Sequence, residues 1–396
     1  MKQGWDLKKI GEIGTVFNGN SINAKVKKEK YMNLEEGLPY IATKDISYES
    51  VIDYGNGIKI PDEDKSLFKI ASKNTIFICA EGGSAGRKIA FTDQEVCFGN
   101  KLFALSTTDK VNSRFVYYYY FSPQFQEDFA SQLTGIIGGV SMAKFKKLKV
   151  PLPSLTEQQR IVEILDKAFV AIDKAKQNVE QNLRNAKEVF EGYLNGVFEN
   201  KGDDWEARKL DDVCKITSKL IDPKEPQYHD LIHIGAGNII SGKGTLLDLK
   251  TAKEEELISG KFLFDSSMVL YSKIRPYLMK IIKCNFQGLC SADIYPLKPV
   301  KNKIIQEFLY YLLLSKNFTE YAVIGSQRAG MPKVNRKHLF EYFFHCPSIQ
   351  EQIQISQDLD MLSDKIKKLE TIYEHKLKNL TELKKSTLQK AFEGNL

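Results

Sequence analysis

Two stretches of the chain carry apolar residues at helical spacing for far longer than an ordinary helix needs. In residues 155–200, Ile161, Leu165, Ala168, Ile172, Ala175, Val179, Asn182, Ala186, Val189 and Tyr193 recur at alternating steps of four and three. That spacing is the seam of a coiled coil, sustained over several heptads. No proline interrupts it, and its two glycines, Gly192 and Gly196, fall in the last turns. Pro153 marks the boundary, and Ser154 with Glu157 is placed as a capping box for the first free N–H groups. Residues 349–394 repeat the pattern. Leu359, Leu362, Ile366, Leu369 and Tyr373 stand where the first stretch has Leu165, Ala168, Ile172, Ala175 and Val179, and Leu377, Leu380, Leu383, Leu388 and Phe392 continue the face. One seam is rich in Ala and the other in Leu, so small residues can face large ones and the two helices are natural partners. Each predicts a rod of about 65 Å. An antiparallel pair within one chain explains both copies better than a coiled coil that merely dimerises two chains.

The intervening patterns are short and mixed. Strands are predicted at Leu38-Pro-Tyr-Ile-Ala, Thr75-Ile-Phe-Ile-Cys, Lys88-Ile-Ala-Phe and Leu102-Phe-Ala-Leu, and again at Leu231-Ile-His-Ile, Met268-Val-Leu-Tyr, Met279-Lys-Ile-Ile and Ile294-Tyr-Pro-Leu. Gly, Asn and Asp separate them, as in a sheet with polar loops. A helical stretch follows in each half, at Ser113–Phe129 and Ile304–Ala322. The fold class read from this order is α+β. The segments are 1–154 and 201–348, globular, with 155–200 and 349–396 as long helices.

The halves also repeat in identity. Trp5-Asp-Leu-Lys-Lys-Ile10 returns as Trp205-Glu-Ala-Arg-Lys-Leu210, and Pro153-Ser-Leu-Thr-Glu-Gln158 returns as Pro347-Ser-Ile-Gln-Glu-Gln352. Ile161/Ile355, Asp166/Asp360, Leu183/Leu377, Leu194/Leu388 and Phe198/Phe392 keep the same offset. The chain is a duplication, one plan used twice.

At 396 residues the chain is too long for one ordinary domain and comfortable for two. No run is long and apolar enough to span a membrane, and the N-terminus lacks the apolar core of a secretory signal, so a cytoplasmic protein is expected. The six cysteines form no C-x-x-C pair or Cys/His array; reduced, buried thiols are expected and no metal site. Net charge is +7. The first helix carries −2 and the second zero, so an excess of nine lies on the globular segments. A polyanion bound by those segments fits this distribution, although many cytosolic proteins are as basic.

Candidate contacts follow from the basic clusters. Lys25, Lys27 and Lys28 form a run near the N-terminus, and Lys144 and Lys146 precede the first long helix. Arg328, Lys333, Arg336 and Lys337 precede the second, at the equivalent place after a glycine-bearing turn. Arg87 and Lys88 end the loop Glu81-Gly-Gly-Ser-Ala-Gly-Arg-Lys88, whose counterpart Lys273-Ile-Arg-Pro-Tyr-Leu-Met-Lys280 supplies Lys273, Arg275 and Lys280; Lys219 completes the set. The glycine-rich loop is not a phosphate loop: its spacing is wrong, no Ser or Thr follows the lysine, and its sister has no glycine. The four tyrosines Tyr117 to Tyr120 face all round a helix, so core packing outweighs a base-stacking platform.

Taken together, the two Pro-Ser-x-x-Glu-Gln helix starts, the helix endings Leu194-Asn-Gly-Val-Phe198 and Leu388-Gln-Lys-Ala-Phe392, the Trp-led openings, Ser272-Lys-Ile-Arg-Pro-Tyr277, Cys290-Ser-Ala-Asp-Ile294 and Gly139-Val-Ser-Met142 resemble the specificity subunit (HsdS) of type I restriction–modification systems. The resemblance covers essentially the whole chain. It implies two target recognition domains, separated and joined by two long antiparallel coiled-coil helices in an internal pseudo-two-fold duplication. Each domain would read one half of a bipartite asymmetric site in double-stranded DNA. The helices would set the gap and dock two methyltransferase (HsdM) subunits. By the same resemblance this chain is a non-catalytic subunit without a cofactor of its own. S-adenosylmethionine belongs to HsdM; ATP and Mg2+ belong to the partner motor–nuclease, HsdR.

The chain carries no Asn-Pro-Pro-Tyr/Phe or Asp-Pro-Pro-Tyr methylation motif, Walker loop or obvious nuclease cluster, and no catalytic residue is assigned. Arg328-Ala-Gly-Met331 replaces a more usual run of small residues, which leaves contacts of the second domain open. A coiled-coil scaffold that binds only proteins, a subunit of a related multi-subunit restriction enzyme, and a stand-alone nuclease or methyltransferase are the competing readings. The missing motifs weigh against the last.

Overall fold

The computed structural model describes residues 4–135, 138–327 and 330–396; the candidate Arg328 lies outside the described residues. The chain divides into two compact units, Met1–Val179 with Glu374–Leu396, and Glu180–Tyr373. Each long helix, Leu155–Glu199 and Ile349–Glu393, thus gives one half to each unit.

In the first unit a four-stranded antiparallel sheet runs in the order Gly14–Asn18, Leu102–Thr107, Ile76–Cys79, Ile89–Phe91. The strand Ile76–Cys79 is buried throughout, because the sheet is covered on both faces. Ile76 and Ile78 face a cluster with Phe115, Phe125, Phe145 and Leu165, whereas Phe77 and Cys79 join Ile41, Phe98 and Leu102 of a second cluster. A second sheet, in the order Lys59–Ile60, Leu38–Ile41, Val96–Phe98, Ile70–Ala71, contains one parallel pair, Leu38–Ile41 with Val96–Phe98. The opening strand Asp6–Lys9 pairs with Lys149–Leu152, so the start of the segment is fastened just ahead of the long helix.

The second unit repeats this plan. Its antiparallel sheet runs Cys214–Lys215, Ile294–Pro299, Val269–Ser272, Ile281–Lys283. Its other sheet has one additional edge strand, Leu220–Ile221, and again a single parallel pair, Ile232–Ile234 with Gly288–Ser291. Glu206–Lys209 pairs with Phe343–Cys346. All the strands expected from the sequence form, with ends shifted by one or two residues, and each expected helical stretch breaks into two helices at Ser122 and Ser315. Both serines cap the second helix of the pair through their hydroxyl oxygens.

The Pro-Ser-x-x-Glu-Gln repeat has a structural reason that its capping pattern alone does not show. Ser154 and Ser348 accept from the N–H groups of Glu157 and Glu351, as caps do. The following glutamine is buried and works harder. Gln158 Oε1 accepts the Asn112 N–H at 2.8 Å while its Nε2 donates to the Pro153 carbonyl at 2.8 Å. Gln352 does the same for the Ile305 N–H (2.9 Å) and the Pro347 carbonyl (2.9 Å). One side chain thereby ties the long helix to the start of the aromatic helix packed on it. A further tie recurs: Tyr118 donates to Asp166, and Tyr311 to Asp360.

Each globular core is completed by the far end of the other long helix. In the first unit Phe392 packs edge-on against Phe115 and Tyr119 (centroids 5.2 and 5.1 Å apart), with Leu388 and Ala391 beside it in the core. In the second, Phe198 meets Phe308 at 5.4 Å, with Leu194 buried alongside. The helix halves run antiparallel inside each unit. Arg160 donates to the Leu396 carbonyl and Lys384 pairs with Asp173 in the first, and Lys187 pairs with Glu370 in the second.

The seam residues Leu165, Ala168, Ile172, Ala175 and Val179, like Leu359, Leu362, Ile366, Leu369 and Tyr373, are buried or half-buried. Beyond them the strict alternation of threes and fours fails. Asn182, Val189, Tyr193 and Leu383 are exposed; Ala186 stays half-buried as expected, and Leu183, Phe190 and Leu194 carry the half-buried to buried line in place of the others. An undistorted helix of 3.6 residues per turn drifts off a 3.5-residue repeat, so steps of four replace steps of three. At the corresponding step of the second helix the Lys384 ammonium lies over the Phe169 ring, its Nζ 4.8 Å from the centroid.

The four tyrosines turn inward. Tyr118, Tyr119 and Tyr120 are buried, and Tyr120 stacks on Phe125 at 4.3 Å. All six cysteines are free and buried. Among the described residues no group of His, Cys, Asp and Glu is arranged to hold a metal, and no helix is long and apolar enough to cross a membrane.

Replacing Gln158 by Ala strands the Asn112 N–H, at a cost of about 1–3 kcal/mol. Denaturant unfolding should show that loss together with faster hydrogen exchange at Asn112, and Gln352→Ala should do the same at Ile305. Unchanged exchange at both amides would refute the clamp. Asp293, between Lys273 and Lys333, supports a second prediction. Burial pushes its carboxyl up, but the hydrogen bonds and charges of the two lysines outweigh burial and hold it below its ordinary value of 3.8. Its contribution is therefore complete above that value and lost as pH falls through the lower, folded-state one. Acid unfolding followed below pH 4 should be less steep in Asp293→Asn than in the parent.

Candidate nucleic-acid interface

The basic candidates fall into three settings, and burial separates them. The first is the short helix Ala24–Lys30, capped by Asn23. Lys25 reaches Glu29 at 4.0 Å, Lys27 lies over the Tyr40 ring at 5.3 Å, and Lys28 is exposed. The helix is held by Lys30, which pairs with Asp64 at 2.6 Å while Tyr31 donates to the same carboxylate at 2.8 Å. The hydrogen bond to Asp64 raises the Lys30 ammonium above its usual value, and those from Lys30 and Tyr31 lower the Asp64 carboxyl.

The second setting is the loop that joins a central strand of each antiparallel sheet to its edge strand, Ile76–Cys79 to Ile89–Phe91 and Val269–Ser272 to Ile281–Lys283. In the first unit Arg87 and Lys88 both lie over the ring of Tyr48, at 5.1 and 5.3 Å, and Tyr48 is more than half exposed. Cations on an exposed aromatic face form a surface suited to flat or anionic ligands. Tyr48 went unnoticed in the sequence because a single tyrosine in a polar loop carries no periodic signal. The counterpart loop uses its charges differently. Lys273 is largely buried, with Asp293 at 3.4 Å and the Ala292 carbonyl as acceptor, and Lys333 reaches the same Asp293 at 3.0 Å. Burial, then the charge of Lys333, pulls the Lys273 ammonium below its usual value. These two lysines share the Asp293 carboxylate. Arg275 stays exposed, its backbone in the left-handed region (φ 49°) and its N–H donating to the Pro332 carbonyl.

The third setting is the short helix ahead of each long one, Met142–Lys147 and Arg336–Phe340. Lys144 bends back to the Gln132 carbonyl at 3.5 Å, whereas Lys146 is exposed. Arg336 lies over Phe340 and donates to the Ile216 carbonyl at 3.3 Å, which sets this helix beside the segment carrying exposed Lys219; Lys337 is exposed. The second and third settings are joined in both units. Val140 N–H donates to the Ala80 carbonyl (2.9 Å), and Val334 N–H to the Lys273 carbonyl (2.8 Å); bridges Glu81–Gly139 and Ile274–Lys333 stand beside them. The structure therefore brings Arg87, Lys88 and the approach to Lys144 onto one framework, and Arg275, Lys333 and Arg336 onto its sister. Lys25, Lys27 and Lys28 belong to a separate support.

One cavity, of about 360 Å3, lies in the first unit between Ser50–Tyr54 and Phe91, Arg114 and Tyr117. Its arginine is turned to Asp166 at 2.9 Å. At the equivalent place in the second unit Gly244 sits against Tyr310, where a Cβ would come within 2.2 Å of the hydroxyl, and Lys243 reaches Glu370 at 3.9 Å. Buried His233 meets half-buried Glu255 at 2.7 Å, and burial outweighs the glutamate and keeps the imidazole below its usual value.

The same framework is found in known proteins. The family model described as "Type I restriction modification DNA specificity domain" matches residues 2–181 and 202–379. The chain is 30% identical to the EcoDI specificity subunit of Escherichia coli, over 63% of this chain and 62% of that one, so the alignment spans less than two thirds of that relative. It is 22% identical to the StySPI specificity subunit of Salmonella potsdam, over 100% of this chain and 90% of the relative. Among solved structures, a chain from work on complex assembly and conformational transition of the type I R-M system superposes with a TM-score of 0.79 at 15% identity, covering 100% of this chain and 99% of the other. The HsdS subunit from Thermoanaerobacter tengcongensis gives 0.60 at 16%, covering 100% and 98%. With two copies of the matched domain, one in each half, the chain belongs to the type I restriction modification DNA specificity domain family.

Proposed function

We propose that this chain is the DNA-reading subunit of a type I restriction–modification complex, with residues 1–154 and 201–348 as two target recognition domains. The observation that carries the reading is the contrast between frame and loops. Ties at equivalent positions hold each unit together internally, whereas the loops they support differ in charge, glycine content and exposed side chains. A frame kept twice with divergent tips suits two readers of different bases, since each base pair presents its own donor and acceptor pattern in the major groove.

In this reading the exposed cations, Lys28, Arg87, Lys146, Lys219, Arg275 and Lys337, contact phosphates and position the protein, while neighbouring loop side chains read base edges. The long helices, residues 155–200 and 349–396, set the gap between half-sites. They also dock two methyltransferase subunits. Exposed apolar residues on these helices, Val170, Val189, Tyr193, Met361, Ile372 and Leu383, support the docking role. The chain itself performs no chemistry. S-adenosylmethionine is used by the methyltransferase, and ATP with Mg2+ by the motor–nuclease partner.

Three outcomes are expected. Binding of the complex to its target should weaken by about 10³–10⁵ between 50 and 200 mM salt if six to ten phosphates are contacted; a gel shift showing no DNA binding at any salt favours the protein-only scaffold. Exchanging residues 1–154 for the first domain of another family member should change one half-site in the methylome and leave the other intact. A change in both halves would falsify the two-module assignment. Inserting one heptad into each long helix at matched positions should alter the gap and leave both half-sites unchanged.

A further inference from the structure

Two of the lysines are tied to backbone carbonyls in the same way in both units. Lys88 and Lys280 each stand at the foot of the loop between a central strand and the neighbouring edge strand. The N–H of Cys79 donates to the Lys88 carbonyl at 2.9 Å, and that of Ser272 to the Lys280 carbonyl at 3.0 Å, closing the loop in each case. From there the Lys88 ammonium crosses to the Thr43 carbonyl at 2.8 Å, and the Lys280 ammonium to the Ala236 carbonyl. Thr43 and Ala236 hold the same place, two residues beyond the strands Leu38–Ile41 and Ile232–Ile234 that form the parallel pairs. Each lysine therefore links the feet of two loops that come from different sheets.

Both linked loops are places where the copies diverge. Glu81-Gly-Gly-Ser-Ala-Gly-Arg is replaced by Lys273-Ile-Arg-Pro-Tyr-Leu-Met, and the segment with exposed Tyr48 and Val51 by one with Lys243 and exposed Leu247. The lysine link persists while everything around it changes. Both lysines are half-buried and neither meets a carboxylate among the described residues, although Lys88 Nζ also lies 5.3 Å from the Tyr48 ring. A lysine used only for phosphate would extend its head into water; these two fold theirs onto a neutral carbonyl, a charge-assisted hydrogen bond with a defined direction.

We propose that Lys88 and Lys280 are positioning residues for base discrimination, each locking the two reading loops of its own unit into one relative geometry. The inference rests on the DNA-reading assignment above. Discrimination between bases needs side chains held within a fraction of an ångström, so a loosened pair of loops reads less strictly while phosphate affinity persists.

The test uses the full chain in complex with its methyltransferase partner. Methylome sequencing, the salt slope of a gel shift on the methylated target, and thermal melting are compared for Lys88→Met, Lys280→Met, Lys88→Gln and Lys280→Gln. Lys88→Met should relax discrimination roughly tenfold in one half-site only, and Lys280→Met in the other. The Gln variants, neutral but still able to donate, should recover most of the discrimination, and they carry the test should a Met variant melt early. Uniform weakening across all sequences in both Met and Gln variants, with the salt slope reduced by about 0.9, identifies phosphate contacts and overturns the inference. Unchanged specificity in a folded Met variant overturns it too. A wild-type complex that yields no bipartite motif refutes the DNA-reading assignment itself, whereas failure of the lysine inference alone leaves the wild-type motif intact.

Discussion

Each globular core is closed by an aromatic side chain that arrives from the far end of the other long helix. Phe392 occupies this place against Phe115 and Tyr119, and Phe198 occupies it against Phe308. Burying such a ring removes enough apolar surface from water that neither core is complete without it. The dependence accounts for the division into units, which cuts both long helices and leaves each segment with the helix ends that pack on it. It also explains why the repeat retains Phe at both positions while seam residues between them exchange Ala for Leu. A ring inserted into a packed core tolerates little change in size, whereas a seam accepts exchanges between facing positions.

Around that contact the polar ties form a second layer of constraint. Gln158 and Gln352 satisfy a buried N–H and a carbonyl that would otherwise be stranded where the chain enters the long helix. Asp166 and Asp360 accept from a tyrosine in both units, yet their cationic neighbours come from different elements: Arg114, from a helix, in the first, and Lys283, from a strand, in the second. The acceptor is retained and the donor migrates.

The same distinction organises the basic residues. A lysine at a loop tip can serve solvent, a phosphate or the protein's own acceptors, and composition does not separate these. Lys273 and Lys333 are held by Asp293, Lys30 by Asp64, and Lys88 and Lys280 by carbonyls, while Arg87, Lys146, Arg275 and Lys337 remain exposed. Net positive charge on the globular segments therefore overstates the number of cations available to a polyanion. The usable ones lie in the loops between strands, as Arg87 and Arg275 do, and on the short helices ahead of the long ones, as Lys146 and Lys337 do.

Periodicity determined the long helices and the strand positions, because these follow from local spacing along one chain, and identities repeated at a fixed offset determined the duplication. The first half of each seam was legible for the same reason. Its continuation was not: Leu183, Phe190 and Lys384 replace the positions a strict heptad assigns, since helix geometry and the neighbouring core, not the repeat, choose the face. The identity of Gln158 with Gln352 was visible, but its partners Asn112 and Ile305 lie some 46 residues away in the chain and became known only through the fold. Which lysines are free was likewise a tertiary decision, because an ammonium is committed by the acceptor that folding brings to it. Sequence set the frame and its repetition; three-dimensional packing alone decided which side chains the frame spends on itself and which it leaves exposed to a partner.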